Sequence, residues 1–192
     1  MSTATRTLVK KFWPRSMSDM DTRQRVMGID PGSRLTGFGV LDFDGDKATY
    51  VASGFINSIK GEFPERLKAI YDAVSELVGE YDPDVVAVES VFVHKNPGSA
   101  LKLGHARSAA ICGTFQSNAT VFEYAPREIK LAVVGSGSAT KEQVQHMVVS
   151  ILKLEGSPSA DAADALAAAL CHGHRRRLGA SLNERLAIVG LR

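Results

Sequence analysis

Four acidic residues stand where the sequence otherwise predicts buried structure, and two of them end apolar strands. Asp30 ends one strand, and Glu89 follows the continuously apolar run 85–88. A buried carboxylate is costly unless it is paired or bound to a cation. If the two strands are parallel neighbours, their carboxyl ends lie about 5 Å apart in backbone spacing, at the edge where open α/β sheets bind ligands. A turn role before Pro31 is the alternative for Asp30.

The other two acids share one face of a predicted helix. Asp161 and Asp164 are three residues apart in a segment of Ala and Leu, and this spacing puts both on one side of the helix. The small neighbours predict a helix that packs tightly and presents two carboxylates at its first turn. Capping of the helix, favoured by its dipole, is the alternative for this pair.

Four acids without partner bases, in Ala- and Val-rich surroundings, predict a bound cation. Hard oxygen donors with no Cys or His cluster nearby favour Mg²⁺ or Mn²⁺ over zinc. Pairs of Mg²⁺ held by carboxylates serve in-line phosphoryl transfer, where one ion activates water and the other stabilises the leaving oxygen. The four acids therefore predict a nuclease.

The elements that position these acids follow the order βββαβαβα with further helices. An antiparallel meander comes first, followed by helices that alternate with two more strands. This order predicts an α/β fold with a mixed five-stranded sheet, three antiparallel then two parallel strands, and helices on both faces. The predicted strands are 25–30, 35–43, 48–56, 85–88 and 120–124, and the predicted helices are 63–81, 99–115, 140–154 and 159–171, with a short helix from Pro126.

Length and composition indicate one globular domain. The chain has 192 residues, of which 44% are hydrophobic and 23% charged. This profile excludes fibrous and disordered proteins, and no apolar run approaches the roughly 18 residues of a membrane span, so no membrane partner is expected. Cys112 and Cys171 are too few and too far apart for a zinc site or a disulfide framework. We expect both to be core residues of a protein from a reducing compartment.

Charge is segregated along the chain. Residues 1–26 and 175–192 each carry a net charge of +4, residues 42–89 carry −7 and residues 90–153 carry +4. If the basic parts share a face, this distribution suits a polyanion; unrelated solvated patches are the alternative. We predict a disordered basic extension over 1–25, a domain over 26–174 and a basic tail over 175–192 that begins near His172. A targeting or anchoring helix is an alternative for the extension.

Five ordered motifs over residues 26–174 resemble the bacterial RuvC family of Holliday junction resolvases. They are GIDPGSR at 28–34, ESVF at 89–92, SALKLGHAR at 99–107, KEQVQHM at 141–147 and ADAADAL at 160–166. The resemblance implies an RNase H-like fold and a homodimer. It also implies a metal-dependent enzyme of homologous recombination and DNA repair, which makes paired symmetric nicks in four-way DNA junctions and leaves 5′-phosphate and 3′-hydroxyl ends.

The resemblance also assigns roles to particular residues. Asp30, Glu89, Asp161 and Asp164 fall on the family's catalytic, metal-binding acids, which implies two Mg²⁺ ions per active site, with Mn²⁺ able to substitute. Some relatives have His at the position of Asp161. A branch-migration helicase complex of the RuvA and RuvB type is the implied partner, and the bacterial cytoplasm, at the nucleoid, is the implied location.

DNA contacts are implied at further positions. Phe92 matches an aromatic residue that stacks on a base near the junction centre, and Lys130 and Lys141 match lysines near the scissile backbone. The small residues of the helix from about Ser99 match the dimer interface, and packing on the chain's own sheet is the alternative for part of this surface. Ser90 departs from the family, where Gln is frequent. Weaker candidates for backbone contact are Arg34, Lys95, Asn96, Lys102 and Arg107.

Three other functions remain open at this stage. The segment around Asp30 resembles a phosphate loop of actin-like ATPases and sugar kinases, although those folds duplicate the unit and this chain has one copy. A module that binds junctions without cutting them is a second alternative. A nuclease of the same fold that acts on RNA or on other branched DNA is the third.

Overall fold

The structure is a computed structural model that describes residues 23–90 and 97–188, with side chains as far as Arg176. Five strands and five helices follow one another within these ranges. The strands are β1 (Arg23–Asp30), β2 (Leu35–Asp44), β3 (Lys47–Asn57), β4 (Val85–Glu89) and β5 (Thr120–Tyr124). The helices are α1 (Phe63–Tyr81), α2 (Pro97–Gly113), α3 (Pro126–Val134), α4 (Lys141–Leu152) and α5 (Ala160–Ile188).

The five strands form one mixed sheet in the order β3-β2-β1-β4-β5. β1 and β2 are antiparallel, as are β2 and β3, whereas β1 pairs with β4 and β4 with β5 in parallel. The predicted fold class, three antiparallel and then two parallel strands, is therefore confirmed. Because β1, β3 and β4 run in the same direction, they end at the same edge of the sheet, which we call the catalytic edge.

Helices cover both faces of the sheet, as predicted. On one face α1 and α2 pack on Met27, Ile29 and Val86. α1 buries Ile70, Val74 and Val78 at a spacing of four residues, which is the apolar stripe that its sequence predicted. On the other face α3, α4 and α5 enclose a second cluster that includes Val26, Leu41 and Leu166.

Helix α5 is longer than predicted. Residues 165–171 are completely buried against β1 and β2, but the helix continues to Ile188 rather than ending near Cys171. Gly173 does not end the helix; a Cβ at this position would lie 2.1 Å from Phe43 Cε1, so the glycine permits close packing. His172 is also buried, and its Nδ1 lies 2.7 Å from the Tyr124 hydroxyl. The prediction that a solvated tail begins there is wrong for this residue.

The two cysteines have different surroundings. Cys171 is buried in the core as predicted, whereas Cys112 is exposed on α2, so the prediction that both are core residues is wrong for Cys112. Within residues 23–90 and 97–188 no helix is long and apolar enough to cross a membrane. The domain boundaries at residues 25 and 174 stay predictions, since most of the N-terminal extension lies outside the described ranges.

Candidate active site

Two of the predicted acids meet at the ends of adjacent strands. Ile29 of β1 is the parallel partner of Val88 of β4, so the next residues, Asp30 and Glu89, lie side by side at the catalytic edge. Both side chains are largely buried, and their carboxyl groups are hydrogen-bonded to each other. The predicted juxtaposition of these strand ends is confirmed, and it follows from the parallel register alone.

Glycines bring the first turn of α5 to the same place. Asp30 pairs across the sheet with Gly37 of β2, and a Cβ at Gly37 would lie 1.9 Å from the backbone oxygen of Asp161. One turn later a Cβ at Gly28 would lie 1.9 Å from the oxygen of Ala165. Such distances leave no room for a side chain, so α5 reaches the strand backbone only because both positions are glycine. Asp161 and Asp164 are thereby held beside Asp30.

Burial and mutual repulsion shift the protonation of the strand-end acids. Loss of solvation, together with the negative charge of Asp164, raises the pKa of Asp30 to about 6. Loss of solvation, together with the charges of Asp30 and Asp164, raises the pKa of Glu89 to about 8. Asp30 and Glu89 therefore do not both ionise fully at neutral pH without a positive charge between them.

A lysine supplies part of that positive charge. The ammonium of Lys141, at the start of α4, donates to Asp164 Oδ2 at 3.0 Å, and this bond raises the pKa of Lys141. The sequence predicted acids without partner bases, and this ion pair corrects that expectation for Asp164. Lys141 and Lys130 line one pocket together with Glu89 and Asp164, and the remaining lining residues are Pro126, Ile129 and Val144.

The chemistry of the donor set fits a hard divalent cation. Carboxylate oxygens are the ligands that Mg²⁺ and Mn²⁺ prefer, and the raised pKa values of Asp30 and Glu89 indicate a place where positive charge is favourable. Within the described residues, however, no group of three or more His, Cys, Asp or Glu side chains is already arranged to hold an ion. Asp164 faces Lys141 instead, and Asp30 and Glu89 face each other, so these contacts must open when an ion binds.

The structure brings together the four acids, Lys130 and Lys141, and it places other predicted residues elsewhere. Arg34 is exposed in the loop that follows Asp30. Arg107 forms an ion pair with Glu123 of β5, with one-fifth of its side chain exposed; its contact with DNA stays a prediction. The predicted DNA contacts Phe92, Lys95 and Asn96 lie outside the described residues.

Sequence reasoning missed how the end of β4 is held. The backbone N–H of Ser90 donates to the Tyr124 carbonyl at 2.8 Å, and its hydroxyl donates to the same oxygen at 3.2 Å. Ser90 therefore continues the pairing of β4 with β5 by one residue beyond Glu89. A serine after a strand-end glutamate could have suggested such a bond, because its hydroxyl readily bonds to nearby backbone.

Carboxylates lie at the ends of two central strands and on the first turn of a helix that packs closely on the sheet. Together with the strand order, they define a metal-dependent nuclease of the RNase H-like class. Residues 26–172 match the family model described as crossover junction endodeoxyribonuclease RuvC. The chain belongs to this family. Its members are endonucleases that hydrolyse DNA phosphodiester bonds and resolve Holliday junctions, so the predicted family, enzyme class and function are confirmed.

Individual relatives agree with the family match. A crossover junction endodeoxyribonuclease RuvC from Pseudoalteromonas translucida is 56% identical over 149 residues, which cover 78% of this chain and 86% of the relative. Thermus thermophilus RuvC, solved in complex with a Holliday junction substrate, is 36% identical with a TM-score of 0.76, covering 81% of this chain and 96% of that one. The yeast mitochondrial Holliday junction resolvase shares the fold. It is 12% identical, with a TM-score of 0.59, and the match covers 83% of this chain and 84% of that one.

Proposed function

We propose that the chain resolves four-way DNA junctions as a homodimer, through a site formed by Asp30, Glu89, Asp161 and Asp164. The observation that carries this proposal is the convergence of carboxylates from β1, β4 and α5: Glu89 and Asp164 line one pocket with two lysines, and Asp30 lies beside both acids. A resolvase must cut two strands of like polarity, and a two-fold dimer provides two identical sites for those cuts. Ala106 and Ala110 of α2 are buried against the chain's own core, and the remaining small residues of the helix suit the close helix contact that such a dimer needs.

The four acids would hold two Mg²⁺ ions, and Mn²⁺ would substitute because it takes the same hard oxygen donors. Bound there, such ions would supply activation of a water molecule and charge stabilisation of the leaving oxygen. The water oxygen bonds to phosphorus and loses a proton, the bond from phosphorus to the 3′ oxygen breaks, and that oxygen takes up a proton and leaves as a 3′-hydroxyl. A 5′-phosphate remains on the other end of the nick.

The residues of the chain prepare the site for this reaction. On becoming ligands, Asp30 and Glu89 would release to solvent the proton that Glu89 donates to Asp30. Lys141 and Lys130, both in the same pocket, neutralise the phosphates on either side of the cut. Phe92, three residues after Glu89, stacks on an unpaired base near the junction centre.

Further DNA contacts and partners complete the proposal. The DNA backbone is contacted by the exposed Arg34 and by the polar segment with Lys95 and Asn96. Arg107 also contacts the DNA backbone if its ion pair with Glu123 opens. A branch-migration helicase complex of the RuvA and RuvB type delivers the junction, and the reaction takes place in the bacterial cytoplasm at the nucleoid.

Mapping of the nicks tests this proposal. A synthetic four-way junction and a linear duplex of the same sequence are incubated with Mg²⁺, and the products are resolved by strand and by end group. We expect two symmetric nicks in the junction, with 5′-phosphates, and an intact duplex. Binding of the junction without cutting, in either Mg²⁺ or Mn²⁺, would contradict the proposal and favour a junction-binding module. Equal cutting of the duplex would contradict the junction specificity.

A further inference from the structure

A half-buried aromatic ring surrounded by cationic side chains lies where α1 and α2 begin. The guanidinium of Arg66 lies 5.9 Å from the centroid of the Phe63 ring, and the ammonium of Lys102 lies 6.0 Å from it. The ring of His105 is also 5.9 Å away and is tilted by 46°. These four residues form what we call the Phe63 cluster. Both cations are close enough for attraction to the face of the ring.

The topology puts the Phe63 cluster at the catalytic edge. α1 follows β3 and α2 follows β4, so both helices begin at the edge where those strands end. A chain of hydrogen bonds links the cluster to the loop that follows Asp30. Arg66 Nε donates to the Ser58 carbonyl at 2.7 Å, and the Ser58 backbone N–H donates to the Arg34 carbonyl at 2.9 Å.

The cations of the cluster contact an aromatic ring, whereas other basic residues of the protein pair with carboxylates. Lys68 is paired with Asp72, and Arg107 with Glu123. Lys102 has no carboxylate partner among the residues that the structure describes; it lies over the Phe63 ring, and its side chain and that of His105 are exposed. The carboxylate of Glu65, which precedes Arg66 in sequence, is engaged in capping α1, where its Oε2 accepts the Glu62 N–H at 3.0 Å.

We propose that the Phe63 cluster binds the phosphate backbone of a junction arm, outside the site where the strand is cut. This inference rests on the proposed function and extends it to residues that the sequence motifs left unassigned, namely Phe63, Arg66 and His105. The ring holds Lys102 and Arg66 in place without neutralising them, so their charge stays available to an external anion.

A second copy of the chain fits this surface less well than DNA. In a two-fold dimer the same patch faces itself, and an interface centred on the Phe63 cluster would oppose Arg66, Lys102 and their equivalents. Like charges placed opposite one another oppose association. The test below separates the two occupants.

Salt dependence of junction binding tests the proposal. Affinity for a four-way junction is measured with Ca²⁺ in place of Mg²⁺, between about 50 mM and 200 mM salt, for the wild type and for Lys102→Gln. The logarithm of the association constant falls linearly with the logarithm of the salt concentration, and each lost phosphate contact makes this slope shallower by about 0.9. Two equivalent contacts in a dimer therefore make it shallower by roughly 1.8, and we expect the loss on junctions of unrelated sequence alike.

Matched variants make the result specific. Lys68→Gln removes the same charge from an exposed lysine further along α1 and should leave the slope unchanged. Lys102→Arg should restore it, because arginine also lies over an aromatic ring and binds phosphate. His105→Gln should weaken binding less than Lys102→Gln, since histidine carries only part of a charge at neutral pH.

Three outcomes would overturn the inference. The first is an unchanged slope for Lys102→Gln, and the second is an equal change for Lys68→Gln, which would reflect net charge alone. The third is dissociation of a dimer by Lys102→Gln in sedimentation, with the slope retained, which would assign the cluster to contact between subunits. Because binding is measured without cutting, failure of wild-type cleavage would contradict the proposed function while leaving this test intact.

Discussion

Replacing Asp30 with Asn should make the metal-free protein more stable at neutral pH. The carboxylate of Asp30 is buried beside Glu89 and Asp164, and these surroundings raise its pKa from 3.8 to about 6. A shift of about two units corresponds to about 3 kcal/mol at 1.36 kcal/mol per unit. Asparagine carries no charge and still accepts the hydrogen bond from Glu89, so we expect Asp30→Asn to raise the free energy of unfolding by about 2 to 3 kcal/mol.

The size of this stabilisation depends on pH. A carboxyl group whose pKa is raised on folding keeps its proton in the native state after the unfolded chain has lost it. The free energy of unfolding of the wild type therefore falls as pH rises from about 4 through 6 for Asp30, and on towards 8 for Glu89. Near pH 4 the gain from Asp30→Asn should be close to zero, because the carboxyl is protonated in the native state.

Urea unfolding in EDTA, at one fixed protein concentration, measures this difference near pH 4 and near pH 8. Asp72→Asn is the matched control, because Asp72 is a more exposed acid in an ion pair with Lys68 and should change stability by less than about 1 kcal/mol. An Asp30→Asn protein no more stable than the wild type near pH 8 would refute the reasoning. A gain that is the same at both pH values would also refute it.

Three further predictions concern the same region. Excess Mg²⁺ should raise the melting temperature of the wild type more near pH 8 than near pH 5, because the ion competes with protons on Asp30 and Glu89; a shift independent of pH in thermal scans would contradict this. Gly37→Ala should lower the free energy of unfolding in urea by about 1 to 3 kcal/mol, because its Cβ would lie 1.9 Å from the Asp161 backbone oxygen. Gly79→Ala on α1 is the control and should not destabilise the protein, because nothing lies within 4 Å of its Cβ. Equal effects of the two substitutions would contradict this prediction. Tyr124→Phe should cost about 1 to 2 kcal/mol, because it removes the partner of the buried His172, and an unchanged denaturation midpoint would show that this bond does not stabilise the fold.

The strand-end acids could be predicted from the sequence because the pattern determines their position. An apolar run that ends in a carboxylate indicates a buried strand, and a parallel pairing then puts Asp30 beside Glu89. Asp161 and Asp164 could be assigned to one helix face by their spacing. The small residues of that helix also predicted its close approach to the sheet, but the matching role of the glycines at 28 and 37 is visible only in the structure.

Other features could not be predicted because they depend on packing between distant elements. The ion pair of Lys141 with Asp164 joins α4 to α5, and no local spacing indicates it. The basic residues after His172 predicted a tail that begins near it, but His172 is buried against Tyr124 of β5, 48 residues away in sequence. The exposure of Cys112 likewise depends on which side of α2 faces the sheet, since the helix has small residues on more than one side.

Cleavage by single variants of the four acids tests the central claim most directly. Asp30→Asn, Glu89→Gln, Asp161→Asn and Asp164→Asn are each assayed with Mg²⁺ for nicking of a four-way junction and, separately, for binding to it. We predict that each variant binds the junction at least as well as the wild type and cuts it at least about a hundredfold more slowly, the loss expected when charge stabilisation of a transition state is removed. Wild-type rates of symmetric nicking in any of the four variants would contradict the assignment of that acid to the site.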